Sequence, residues 1–137
     1  MARAQLVAIG LSVAGIAVSV YLTALHYAGV TPACMTSGSI NCEAVLSSSY
    51  AVIAGSSIPT SALGIVWFAI SAALWTRPAG WAHIAWSGAG VVTVLYLVFV
   101  EVVRINAICL WCTAAHVLVV VLLLLAVSSL SPSGSNQ

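Results

Sequence analysis

The sequence predicts an all-α membrane protein, a four-transmembrane-helix bundle with a long outer loop that contains a short interfacial helix. Of the 137 residues, 63% are hydrophobic and only 4% are charged, and the mean hydropathy is +1.20. A soluble domain carries about 25% charged residues, so this composition excludes one. About four spans of roughly 20 residues use the whole length, so we expect a single membrane domain over residues 1–137.

The first predicted span covers residues 6–26, an apolar run without a charged residue. At a rise of about 1.5 Å per residue, this run roughly matches the thickness of the hydrocarbon core. Arg3 in front of it would also suit a signal peptide, but the run is long for one and no convincing cleavage site follows, so we expect a retained span. Gly10 and Gly15 are small residues that let a neighbouring helix approach closely.

A segment rich in Gly, Pro, Ser, Thr and Asn follows from residue 28 to residue 58. Loops of this length in a small domain are usually functional. Within the segment, Asn41 is a candidate N-cap, and apolar residues recur at helical spacing over residues 45–53. We therefore expect a short helix at the membrane surface that begins near Cys42, with Cys34 on a mobile segment before it.

Three further apolar runs complete the predicted bundle. They cover residues 59–75, 81–103 and 108–127, and a polar tail follows over residues 128–137. Pro59 suits the first turn of its helix, and residues 77–80 predict a tight turn before the third span. Glu101 and Arg104 lie near the end of the third span and are expected to form an interfacial ion pair. Asn106 is expected to cap the fourth helix.

Two cysteines, Cys109 and Cys112, stand at the start of the most apolar run with two residues between them. At a helix start, unsatisfied backbone N–H groups and the positive dipole end favour a thiolate, so this spacing predicts a reactive dithiol. Half of a four-cysteine zinc site, or a structural disulfide, are the alternatives. The other pair, Cys34 and Cys42, has seven intervening residues, which does not make the usual zinc pattern, and we predict no metal site.

The parity of four spans places the four cysteines on one face of the membrane, because the first loop and the third connection emerge on the same side. Arg3 and Arg77 lie on the opposite side and Arg104 on the cysteine side. The positive-inside rule therefore favours, by two arginines to one, cysteines that face outward and termini that are cytoplasmic. An even number of cysteines on the outer side fits a compartment in which disulfides form.

The order of these motifs carries a resemblance to a known family. Cys34 and Cys42 are followed by three serines, and the C-L-W-C motif opens the last helix, with Gly55, Pro59 and Gly64 between them. Over about residues 6–127, the chain resembles the vitamin K epoxide reductase family, in particular its bacterial members without a fused thioredoxin-like domain. A second type of four-helix quinone-linked disulfide oxidase has its C-x-x-C motif in the first outer loop, and the motif order here argues against it.

The resemblance implies a quinone-dependent thiol–disulfide oxidoreductase of the bacterial cytoplasmic membrane that supports disulfide bond formation. Its expected partners are a separate thioredoxin-fold oxidoreductase, a membrane quinone of the menaquinone, ubiquinone or vitamin K type, and the lipid bilayer, with no nucleic acid. By position, Cys34 would meet the thiol partner. Cys42 would exchange with Cys109, and Cys112 would face the quinone.

Three further side chains are candidates for contact with the quinone: His116, Trp111 and Ser48. His116 lies one helical turn after Cys112 and shares its face, so it could hydrogen-bond or protonate a quinone oxygen; a packed structural histidine is the alternative. The vertebrate-like enzyme has tyrosine at this position. Ser48 could support the reacting groups or bond only to the backbone, and Trp111 could line the pocket.

Two other functions stay open at this point. Reduction of a quinone or of vitamin K epoxide could be the physiological purpose, with the thiols only as electron donor. The chain could also be a non-catalytic membrane subunit whose cysteines form static disulfides or bind zinc.

Overall fold

The computed structural model describes residues 2–34 and 37–131, and these residues form helices, connections and isolated β-bridges but no strand. The helices are α1 (Arg3–Ala28), α2 (Cys42–Leu46), α3 (Thr60–Leu74), α4 (Trp81–Phe99) and α5 (Leu110–Leu130). A 3-10 turn, Ser49–Ala51, follows α2, and a π-helical segment, Val100–Ile105, continues α4. The predicted all-α class is confirmed. Of the predicted polar tail, residues 128–130 belong to α5 and residues 132–137 lie outside the described part of the chain.

Three of these helices are long and apolar enough to cross a membrane. They are Arg3–Ala28, Trp81–Ile105 and Leu110–Leu130. The fourth apolar helix, α3, has 15 residues. At about 1.5 Å per residue it rises roughly 22 Å, which is less than the hydrocarbon core of about 30 Å. The described residues therefore contain three candidate spans and one shorter apolar helix.

The helices pack side by side, with α1 between α3 and α5, and with α4 against α5. Their shared core consists of buried apolar residues: Ala8, Phe68, Trp75, Val94, Val119, Leu122 and Ala126. A Cβ atom added at Gly15 would overlap the ring of Phe68, so the expected close approach of a neighbouring helix is confirmed at this glycine. Nothing lies within 4 Å of the same position at Gly10.

The loop after α1 and the connection between α4 and α5 meet at one end of the bundle. The Asn41 N–H donates to the Ile108 carbonyl at 3.0 Å, and the Ile108 N–H donates to the Ser39 carbonyl at 2.8 Å. Asn41 is also the N-cap of α2, since its side-chain oxygen accepts a hydrogen bond from the Ala44 N–H at 3.1 Å. These bonds fix Cys42, the first residue of α2, beside the start of α5.

Asn106 ends the helix before it and does not begin the helix after it, so the expected N-cap is wrong. Its φ of 58° lies in the left-handed region, and it is the C-cap of the π-helical segment. Asparagine tolerates this conformation better than most residues and is used at helix ends for that reason. The N-cap of α5 is Cys109.

Candidate active site

The two loop cysteines, Cys34 and Cys42, form a disulfide. Their Cα atoms are 6.2 Å apart, within the usual range for a disulfide. Cys42 is buried, with 2% of its surface exposed, whereas Cys34 is partly exposed. The disulfide is therefore open to solvent on the Cys34 side.

Cys109 and Cys112 are free thiols at the start of α5. Cys109 is fully buried, and its thiol donates a hydrogen bond to the Sγ atom of Cys42 at 3.2 Å. Cys42, Cys109, Val45 and Ala107 form a buried cluster of their own at this end of the bundle. Thiol–disulfide exchange requires one sulfur to approach another directly, and the packing brings together one sulfur from each pair.

The environment of Cys109 favours its thiolate. The Cys112 thiol, which is hydrogen-bonded to Cys109, lowers the pKa of Cys109 below the ordinary value for a thiol. The backbone N–H groups of Cys112 and Trp111 add to this effect, while burial and the charge of Glu101 oppose it. A thiol with a lowered pKa is the better leaving group in disulfide exchange.

A cavity of about 410 Å³ lies behind the second cysteine pair, between α1, α3, α4 and α5. Cys112 and His116 belong to its wall, together with Ser48, Tyr50, Glu101 and His26. Most of the remaining lining is apolar, including Phe68 and Val119. Ligand sites have this combination of an apolar wall with a few polar groups, and their volumes are typically about 300–1,000 Å³.

Two of the three side chains proposed to contact a quinone line this cavity. His116 shares the wall with Cys112, and Ser48 lines the cavity while its hydroxyl donates to the Val45 carbonyl at 2.7 Å. Among the described residues, Trp111 lies outside the lining. Its indole N–H donates to the Ala33 carbonyl at 3.0 Å, and its ring centroid lies 4.8 Å from that of Tyr21.

The expected ion pair between Glu101 and Arg104 is wrong. Arg104 is exposed and donates from Nε to the Tyr50 hydroxyl at 3.1 Å, whereas Glu101 is 6% exposed and faces the cysteines. Both residues belong to the π-helical segment. A turn of a π-helix is wider than a turn of an α-helix, so side chains three residues apart do not lie on the same face. The sequence does carry a signal for Glu101, because an ionisable residue within an apolar span is a functional candidate by default.

Glu101 is thus a site residue, whereas the sequence pattern predicts an interfacial ion pair for it. Tyr50 and His26 also line the cavity, and no motif in the sequence identifies them. Within residues 2–34 and 37–131, no three His, Cys, Asp or Glu side chains come together as a group that could hold a metal ion.

The site thus combines apolar helices with two cysteine pairs in sulfur contact and with an apolar cavity beside the second pair. Residues 6–127 match the model of the Vitamin K epoxide reductase family, and the chain belongs to this family. The resemblance that the motifs carry is therefore confirmed. Members of the family are oxidoreductases that use quinones as electron acceptors. No curated protein matches the chain.

Proposed function

We propose that the protein passes electrons from a thioredoxin-fold partner through the loop cysteine pair to the C-L-W-C pair, and from there to a membrane quinone, so that it supports disulfide bond formation. The observation that carries this proposal is the distance of 3.2 Å between the Sγ atoms of Cys109 and Cys42. This contact joins the loop pair to the pair at the cavity, and exchange between them requires no large movement of either backbone.

In the first step, a partner thiolate attacks Cys34, the more exposed sulfur of the loop disulfide. A mixed disulfide forms, the Cys34–Cys42 bond breaks, and Cys42 leaves as a thiolate. The second thiol of the partner then attacks its own mixed disulfide and releases Cys34. The partner leaves oxidised, and the loop pair is left with two thiols.

In the second step, the Cys42 thiolate attacks Cys109 of an oxidised C-L-W-C pair, and Cys112 leaves. Cys34 then attacks Cys42, the loop disulfide forms again, and Cys109 leaves as a thiolate. The lowered pKa of Cys109 suits this departure. The structure, with a loop disulfide and two thiols at the start of α5, has the oxidation states that this step produces.

The cavity fits a quinone, because its wall is largely apolar and its polar side chains include Cys112 and His116. A bound quinone supplies an acceptor for two electrons and two protons. The thiols of Cys109 and Cys112 lose two electrons and two protons and become a disulfide. His116 would hold a proton at a quinone oxygen, and Ser48 would line the quinone site on the side of the loop.

We further propose that α3 is the fourth span and that the chain forms one membrane domain over residues 1–137. Turn hydrogen bonds between residues three apart continue α3 at its two ends, from the Ala62 N–H to the Pro59 carbonyl at 2.9 Å and from the Arg77 N–H to the Leu74 carbonyl at 3.0 Å. The extended segment has a length of about 28 Å, close to the hydrocarbon thickness. Four spans put both termini on the same side of the membrane, and Arg3 and Arg77 against Arg104 favour the cytoplasmic side of a bacterial membrane for the termini and the outer side for the cysteines.

The test compares two electron donors to the purified, detergent-solubilised protein. Cys112 is only partly buried, so we expect a small dithiol to reach the C-L-W-C pair at this residue, and quinone reduction with dithiothreitol should require Cys109 and Cys112 but not the loop pair. Reduction with a thioredoxin-fold protein as donor should require all four cysteines. Failure of the unaltered protein to reduce menaquinone or ubiquinone analogues with either donor would refute the proposed function.

A further inference from the structure

The chain has two acidic residues, Glu43 and Glu101, and only Glu101 belongs to a helix that could span a membrane. Glu101 is buried, and the described residues form no ion pair with it; Arg104, three residues further on, contacts Tyr50 instead. A carboxyl group in such surroundings is costly unless it is hydrogen-bonded. The Glu101 carboxyl group therefore requires a specific hydrogen-bond donor as its partner.

That partner is the backbone of the redox motif. Oε2 of Glu101 accepts a hydrogen bond from the Cys109 N–H at 3.3 Å, and the Glu101 carbonyl accepts one from the Ala107 N–H at 3.0 Å. Both ends of the residue are thus tied to the short connection that leads into α5. The connection is held from the other side by the paired bonds between Ile108 and the first loop.

The first of these bonds replaces part of a standard helix cap. In a capping box, the residue three positions after the N-cap is Glu or Gln, and its side chain accepts the N-cap N–H. In α5 the N-cap is Cys109, and the residue three positions later is Cys112, whose thiol contacts Cys109. Because a cysteine occupies the position of the usual acceptor, the acceptor comes from the preceding helix.

We propose that Glu101 is a positioning residue of the redox site, whose carboxyl group holds the Cys109 backbone so that Cys109 Sγ stays within reach of Cys42 Sγ. This inference rests on the proposed exchange between the two pairs. In that exchange, the Cys42 thiolate attacks Cys109, the Cys42–Cys109 bond forms and Cys112 leaves as a thiolate; Cys34 then attacks Cys42, the loop disulfide forms again and Cys109 leaves as a thiolate.

The geometry, and not the charge, is what Glu101 contributes. The Cys112 thiol lowers the pKa of Cys109, whereas a charged Glu101 raises it. The charge of Glu101 therefore disfavours the Cys109 thiolate that exchange requires. The reach of the side chain to the Cys109 N–H is therefore the property that a test must separate from charge. Gln keeps the reach and loses the charge, whereas Asp keeps the charge and is one methylene shorter.

The experiment uses the full-length protein with Cys34→Ser, in which two disulfides compete for Cys109. One is Cys42–Cys109, which depends on the position of Cys109 relative to the loop, and the other is Cys109–Cys112, which forms within one helical turn. The purified protein is equilibrated in a glutathione redox buffer, the free thiols are alkylated, and the two disulfides are quantified by mass spectrometry. Their ratio reports positioning without a quinone or a protein partner.

Replacement of Glu101 by Leu should lower the ratio of Cys42–Cys109 to Cys109–Cys112 by about tenfold, the effect expected from loss of a hydrogen bond to a charged group. Glu101→Asp should lower it similarly, and Glu101→Gln should keep it within about threefold of the parent. The control is Glu43→Gln, which removes the same charge from an exposed residue next to Cys42 and should leave the ratio unchanged.

A ratio in Glu101→Leu that equals that of the parent would overturn the proposal. So would the reverse order, with Asp active and Gln impaired, because charge would then be the property that matters. The Gln variant keeps the inference testable even if Leu weakens the fold. A protein that follows the expected ratios but reduces no quinone would refute the proposed function and leave the role of Glu101 intact.

Discussion

The indole N–H of Trp111 donates to the carbonyl of Ala33 at 3.0 Å, so one of the two residues between the C-L-W-C cysteines holds the residue before Cys34. One hydrogen bond thereby connects the two redox motifs at a point away from the sulfur atoms. The ring of Trp111 also packs against Tyr21 of α1, which orients the indole toward the loop.

We expect Trp111→Phe to slow electron transfer from the loop pair while direct reduction of the C-L-W-C pair is unaffected. Phenylalanine keeps a ring against Tyr21 but has no N–H for the Ala33 carbonyl. A neutral hydrogen bond is worth about 1 kcal/mol, so quinone reduction with a thioredoxin-fold donor should fall by roughly fivefold. With dithiothreitol it should stay unchanged. Trp81→Phe, at the exposed tryptophan that begins α4, is the control.

The pH dependence of Cys109 tests the contact within the C-L-W-C pair. The Cys112 thiol lowers the pKa of Cys109, so the Cys109 thiolate should form below the pH at which an ordinary thiol ionises. Cys112→Ala removes this donor and leaves burial and the charge of Glu101 in place, so the midpoint should move to higher pH. The measurement is ultraviolet absorbance of the thiolate against pH, as the difference from the same protein with Cys109→Ser. A midpoint that stays or falls would contradict the assignment.

His116→Leu tests the quinone contact. Leucine keeps the bulk and the helix propensity at this position but has no ring nitrogen, so quinone reduction should fall by about tenfold or more while thermal stability changes little. The neighbouring exposed residue provides the control, Val117→Leu. If the quinone reduction rate of the His116 variant equals that of its control, His116 is a packing residue.

The sequence predicts the parts of this site that follow from connectivity and motif order, and it misses the parts that depend on local helix geometry. All four cysteines lie at one end of the bundle because four helices joined in order require it. Glu101 turns toward Cys109 because a π-helical segment follows α4, and the hydrophobic pattern does not encode that segment. Asn106 suits either end of a helix by residue type, so only its backbone conformation distinguishes the two.

The proposed topology predicts which side of the membrane exposes the cysteines. After reduction of intact cells, a membrane-impermeant thiol reagent should label the native cysteines. Arg3 and Arg77 lie at the end of the bundle opposite to the cysteines and favour the cytoplasm for that end, which leaves the cysteines on the outer side. A chain without native cysteines and with Ser135→Cys should be labelled only after permeabilisation. If the native cysteines react only in permeabilised cells, the orientation is the opposite of the one proposed.

The relay predicts that removal of Cys109 and removal of Cys42 stop electron transfer at different steps. In Cys109→Ser, the loop pair still exchanges with a thiol partner but has no sulfur to which it can pass electrons, so the loop should accumulate in the reduced form and quinone reduction should stop. In Cys42→Ser, an oxidant should join Cys34 to a partner variant that keeps only its attacking cysteine, and this mixed disulfide should persist because no second thiol of the partner and no neighbouring thiol of this chain attacks it. Non-reducing gels of the four single Cys→Ser variants, with mass spectrometry of any band of high mass, distinguish these blocks. Static disulfides or a zinc site would instead make every variant unfold alike without an adduct, since each cysteine would then serve only stability.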